Sequence, residues 1–181
     1  MKFRRLITFL ILLVIIILGV RFGIEKYAFP IKYEEYVTKY AEEYNLDPYF
    51  VLSVMKAESK FNPNAKSNRN ALGLMQITEE TGEDIAKWMG LKDYDKSKLY
   101  DEEYNIMMGC WYLNDLNKEF NNNETLVLSA YNAGRGNVND WLSIEQYSKD
   151  GKNLDYIPFG ETKKYVDKIE VYYKVYKFLY E

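Results

Sequence analysis

Histidine is absent from this chain of 181 residues. That excludes Ser-His-Asp and Cys-His catalysis, HExxH zinc sites and imidazole general bases. There is a single cysteine, Cys110, so no internal disulfide forms. It lies among Ile106, Gly109 and Leu113 and reads as a small buried residue. No strong charge of either sign is present. The formal net charge is -3, which gives no footprint for nucleic acid. Any catalysis must therefore run on carboxylates, hydroxyls, amides or lysines, and no metal or other cofactor is expected.

What the chain has in quantity is tyrosine. The 18 tyrosines suit a wet groove as well as a core, because each couples an apolar ring to a polar tip. Hydrophobic residues make up 48%, enough for one packed domain plus a short appendage.

The N-terminus supplies the appendage. Lys2, Arg4 and Arg5 precede the apolar run Leu6 to Val20, broken only by Thr8 and Gly19. Phe22 to Ile24 extends the run past Arg21, a residue able to snorkel to the interface. No A-x-A-like cleavage site and no lipobox-type cysteine follows, which favours an uncleaved signal anchor over a cleaved signal peptide. The leading positive charges should stay inside, leaving the rest of the chain on the extracytoplasmic side of the cell membrane as a single-pass protein. The expected organisation is an anchor over 1–24 that holds the membrane through residues 6–24, a linker over 25–32 and one domain over 33–181.

Within that domain the periodicity is helical. Tyr33 to Tyr44 is amphipathic. Asp47-Pro48 opens a helix running to about Lys60. Thr78 caps a helix stopped by Gly90, and Asp101 caps a longer one to about Phe120. Thr125 to Ala133 is helical up to Gly134-Arg135-Gly136, a short helix covers Asn137 to Leu142, and Glu161 to Tyr180 is the last. The class is all-α, α+β at most, with a small β excursion confined to residues 71–77.

One carboxylate stands out. Val51, Val54 and Met55 share a helical face with Glu58, so its charge is poorly solvated and its pKa should rise. A carboxyl still protonated near neutral pH can donate to a leaving group. Taken alone, a solvated or ion-paired glutamate at a helix end is the ordinary alternative. Three further segments change the weighing: Gly73-Leu74-Met75-Gln76-Ile77, Ala130-Tyr131-Asn132-Ala133-Gly134 and Glu161-Thr162-Lys163-Lys164-Tyr165-Val166.

With Ala57-Glu58-Ser59-Lys60-Phe61, their order and wording resemble the catalytic domain of the soluble (Slt-type) lytic transglycosylases, within the lysozyme-like superfamily. The resemblance covers roughly residues 34–181. It implies a compact helical lysozyme-like domain behind the N-terminal transmembrane helix. It also implies an enzyme acting on peptidoglycan glycan strands, which cuts the β-1,4 bond between N-acetylmuramic acid and N-acetylglucosamine and leaves a 1,6-anhydro end. By resemblance Glu58 is the catalytic acid and Ser67 contacts substrate or acid. Met75 and Gln76 line the saccharide cleft, Tyr131 lies near the acid, Asn132 helps hold the sugar, and Tyr165 lies beside Glu58. Glu161 would be structural, capping the last helix. On residue type alone, Ser67 is also a turn residue, Gln76 a partner for backbone groups, and Met75, Tyr131 and Tyr165 core residues. The competing functions are a hydrolase resembling goose-type lysozyme and a non-catalytic peptidoglycan-binding module.

Overall fold

The computed structural model describes residues 2–181; Met1, the first residue of the expected anchor, lies outside them. Helix α1, Lys2–Gly23, carries the apolar run and has exposed side chains from Phe3 to Phe22. At 1.5 Å per residue it is about 33 Å long, the thickness of a bilayer's hydrocarbon core. The apolar stretch that meets the length and composition of a membrane span is Phe3–Ala28. It includes a single π-helical turn, Ile24–Ala28, so the first part of the segment expected as a linker continues the helix.

Seven helices follow: α2 (Glu34–Glu43), α3 (Pro48–Glu58), α4 (Glu79–Met89), α5 (Glu102–Glu119), α6 (Glu124–Ala133), α7 (Arg135–Leu142) and α8 (Gly160–Tyr180). A short 3-10 turn, Lys96–Tyr100, leads into α5. Several starts follow directly from capping chemistry. The Asp47 side chain accepts from the Tyr49 amide, with Pro48 in the first turn. Thr78 accepts from the Thr81 amide, Asp101 from Tyr104 and Asn123 from Leu126. Gly90 takes the left-handed conformation that ends α4.

The core gathers around α5, where Ile106, Met108, Cys110, Leu113 and Leu116 are fully buried. That helix packs on α2, α4 and α6, while α8 packs on α3 and α6. Among the described residues there is no strand. The β excursion reduces to two isolated antiparallel bridges, Lys66 with Leu72 and Leu72 with Ile77. The domain is all-α, as the periodicity predicts. Two details differ from the sequence reading. Helix α7 begins at Arg135 rather than Asn137, because Gly134, at φ 90°, makes the whole break by itself. Helix α8 has no side-chain cap at its start, so Glu161 does not cap it.

Candidate active site

Helix α3 delivers Glu58 as its last residue. Val51, Val54 and Met55 bury the same face, which fixes the rotation of the helix. Beyond it Ser59 turns back, its hydroxyl donating to the Met55 carbonyl at 3.2 Å. Lys60 and Phe61 then both sit at positive φ, 52° and 64°. Two consecutive non-glycine residues there are unfavourable locally. The turn is held by Phe61, which is buried in the core.

Tyr165, on α8, reaches the same point from 107 positions away in sequence. Its buried hydroxyl donates to Glu58 Oε1 at 2.5 Å. The carboxyl itself is half-buried and opens onto a cleft of about 400 Å³. Burial dominates its electrostatics. It pushes the Glu58 pKa up to about 7, against smaller opposing effects from the Tyr165 hydrogen bond and the positive charge of Lys168. At neutral pH a substantial fraction therefore keeps its proton. The Tyr165 and Tyr131 hydroxyls have pKa values raised well above normal, chiefly by burial and then by the negative charge of Glu58. Both remain hydrogen-bond donors.

The opposite wall is the loop from Lys66 to Ile77, and a residue that the sequence reading missed builds it. Asn105 of α5 is buried, and its side chain makes three bonds: Oδ1 accepts from the Met75 amide at 2.7 Å, and Nδ2 donates to the carbonyls of Leu72 (3.0 Å) and Leu99 (2.8 Å). A buried amide satisfied in this way fixes a backbone without regular structure. Gly73, at φ 74°, sits so tightly against Asn105 and the Leu99 carbonyl that a Cβ has no room.

The expected site residues take the following places. Glu58, Ser67, Gln76, Tyr131 and Asn132 line one cleft. Ser67 also makes a turn, its Oγ accepting from the amides of Arg69 (3.2 Å) and Ala71 (3.1 Å). Gln76 Nε2 donates to the carbonyls of Ala65 and Gly73, at 3.2 and 2.9 Å. Asn132 Oδ1 accepts from the Thr162 hydroxyl at 2.8 Å, tying the end of α6 to the start of α8. Met75 departs from the expectation. Its side chain is fully buried against Gly109 and does not line the cleft. An unbranched thioether fills the gap left by the missing Cβ there. What Met75 contributes is its carbonyl, which accepts from the Tyr131 hydroxyl at 2.7 Å.

Arg69 and Glu161 also line the cleft and pair at 3.3 Å, both largely exposed. An exposed pair contributes little to stability and separates readily. Behind Tyr131 stands Tyr112, with ring centroids 5.5 Å apart, and Arg135 lies over the Tyr112 ring while pairing with Asp115 and Glu119. Nothing in local spacing distinguishes these supports from ordinary helix residues. No group of three or more cysteine, aspartate and glutamate side chains converges into a metal-binding set among the described residues.

Residues 35–154 match the family model described as the transglycosylase SLT domain. The soluble lytic murein transglycosylase of Salmonella typhimurium is 33% identical over 151 residues, covering 82% of this chain and 23% of that protein. The membrane-bound lytic murein transglycosylase C of Pectobacterium atrosepticum is 31% identical over 167 residues, covering 81% of this chain and 47% of that protein. The crystal structure of the 70 kDa soluble lytic transglycosylase from Escherichia coli superposes with a TM-score of 0.74 at 31% identity, over 83% of this chain and 25% of that one. The chain thus spans about a quarter of the soluble relatives and about half of the membrane-bound one.

Proposed function

The chain belongs to the transglycosylase SLT domain family, and we propose that it is a membrane-anchored peptidoglycan lytic transglycosylase with Glu58 as its catalytic acid. The observation that carries this reading is the state of Glu58: half-buried in a cleft, held by Tyr165 at 2.5 Å, with its pKa near 7. A carboxyl poised at the working pH suits a group that must first give a proton and then take one.

In the proposed reaction Glu58 protonates the oxygen of the β-1,4 bond between N-acetylmuramic acid and N-acetylglucosamine. The bond breaks through an oxocarbenium-like state, assisted at the anomeric carbon by the sugar's own N-acetyl group. Glu58, now ionised, accepts a hydrogen bond from Tyr165 and takes the proton of the muramic acid 6-hydroxyl. That oxygen closes on the anomeric carbon and gives the 1,6-anhydro end. No water is consumed, and acid and attacking hydroxyl meet on one bound sugar. Tyr131, held by the Met75 carbonyl, supports the cleft wall. Ser67, Gln76 and Asn132 are the polar groups that would orient the glycan.

Helix α1 is read as a single membrane span, with the domain on the extracytoplasmic side. The basic residues at its start and the membrane-bound relative support this.

A second reading rests on Glu161, the other carboxylate on the cleft wall. A hydrolase would need such a group to activate water. Its side chain is largely exposed, the solvated setting of an ordinary surface carboxylate, unlike that of Glu58. Mass spectrometry of peptidoglycan digested by the full-length protein in detergent separates the readings: an anhydro end is lighter than a reducing end by one water. Retained cutting by Glu58→Gln, or reducing ends alone, refutes the transglycosylase.

A further inference from the structure

The junction between α1 and the domain is built as a joint, not as a flexible tether. Arg21, at the end of the apolar run, pairs with Glu25 at 2.6 Å and donates to the Leu179 carbonyl at 2.6 Å. That carbonyl belongs to the last turn of α8, where a cation is favoured by the unpaired carbonyls and the helix dipole. The Tyr180 hydroxyl lies within bonding distance of the carbonyls of Glu25 and Phe29, and Tyr176 donates to the Pro30 carbonyl. Phe29 packs edge-on against Tyr172 and Tyr176. From the other side Lys56 of α3 donates to the Ala28 carbonyl and covers the Phe29 ring.

The order of these contacts gives a direction. Arg21 and Glu25 meet only the last turn of α8, at Leu179 and Tyr180, whereas Phe29 and Pro30 reach back along it to Tyr176 and Tyr172. The C-terminal end of α8 therefore points at the membrane end of α1. At that end Phe178 is 82% exposed, and Tyr27 beside the junction is 76% exposed. Both rings are more exposed than the domain's other exposed rings, Trp88, Tyr100, Tyr156 and Phe159, and they flank the end of α1, where a bilayer interface favours aromatics. Two cations near that end are engaged: Lys177 with Glu181, and Lys26 over the Phe22 and Tyr27 rings.

We infer that the domain is docked on the bilayer, with Phe178 and Tyr27 seated in the headgroup region and Arg21 clamping α8 upright. This rests on the reading of α1 as a membrane span. Helix α8 then serves as a spacer. Tyr165, which holds Glu58, lies about 20 Å along the helix axis from the Leu179 grip. The acid works at a set distance from the membrane, on glycan close to it. Seating is led by aromatic rings rather than by net charge, so it needs no anionic lipid.

The test uses the full-length protein in phospholipid nanodiscs, with a nitroxide on Phe178→Cys and, in a separate sample, on Asn70→Cys in the exposed cleft loop. Cys110 is fully buried, which directs the label to the introduced thiol. The docked arrangement predicts several-fold greater collision with oxygen than with a water-soluble nickel chelate at 178, and the reverse at 70. It predicts the same depth in phosphatidylcholine alone and with phosphatidylglycerol added. Arg21→Gln should move the 178 label toward water while the protein resists alkaline carbonate extraction. An aqueous signal at 178 in a carbonate-resistant protein overturns docking alone, as does a 178 label shielded from both reagents, which would indicate a second protein copy there. An unchanged depth in Arg21→Gln overturns the clamp. Release of the unmutated protein by carbonate overturns the membrane reading as well.

Discussion

Burial raises the Glu58 carboxyl to about pH 7, and the same burial works against the fold. In the unfolded chain this carboxyl ionises near 4.5. Between 4.5 and 7 the folded state therefore holds a proton that the unfolded state has lost, and stability falls as pH rises through that window. Replacing Glu58 by glutamine removes the penalty. Glu58→Gln should raise domain stability by about 2–3 kcal/mol at pH 8 and by little at pH 4, measured by urea denaturation at the two pH values. Its cleavage rate should fall by at least about 10³-fold. A second consequence concerns Tyr165, whose hydrogen bond favours the ionised carboxylate. The proposed reaction needs the protonated acid, so kcat/KM should decline as pH rises through about 7. Tyr165→Phe should move that decline upward by about one pH unit while lowering kcat, read from a pH–rate profile. Glu58 is legible in the sequence because its apolar neighbours share its helical face. Its partner becomes legible only through the wording of the segment around Tyr165, since no local rule joins residues that far apart.

Helix starts and stops were readable for α3, α4 and α5 because Asp47, Thr78 and Asp101 cap locally, and Gly90 ends α4 by its own conformation. The loop wall was not readable, because its geometry comes from Asn105, which looks like any polar residue near a helix start. Asn105→Leu should cost about 2–4 kcal/mol, leaving the Met75 amide and the Leu99 carbonyl without their Asn105 partners in the core, while the Leu72 carbonyl keeps the Ile77 amide. Gly109→Ala tests the same wall from below. Its Cβ would meet Met75 Sδ, Cε and Cβ, so Met75 must shift, and a shift that reaches its backbone loosens the carbonyl's bond with Tyr131. A stability loss of about 1–3 kcal/mol and a matching fall in kcat are expected, by thermal melting and turnover on purified sacculi. Met75 itself shows the reach of pattern reading. The Gly-Leu-Met-Gln wording points to the cleft, while the side chain fills the space that Gly109 leaves in the core.

The packing of the segment after α1 decides where the chain can be shortened without loss of stability. The composition of residues 25–32 suggests a dispensable linker, yet Phe29 packs on Tyr172 and Tyr176, and Pro30 receives the Tyr176 hydroxyl. That packing depends on α8, more than 140 positions away, so it leaves no local trace. A fragment beginning at Glu25 should exceed one beginning at Lys32 by about 2–3 kcal/mol in urea denaturation, the value of burying one large aromatic side chain. The central claim is that one carboxyl serves as acid and then base on a glycan that supplies its own nucleophile. Product analysis of purified peptidoglycan by mass spectrometry tests it most directly, with the full-length protein and Glu58→Gln side by side. The account predicts 1,6-anhydromuramoyl ends from the unmutated protein and none from the variant. Reducing ends from the former, or anhydro ends from the latter, would contradict it.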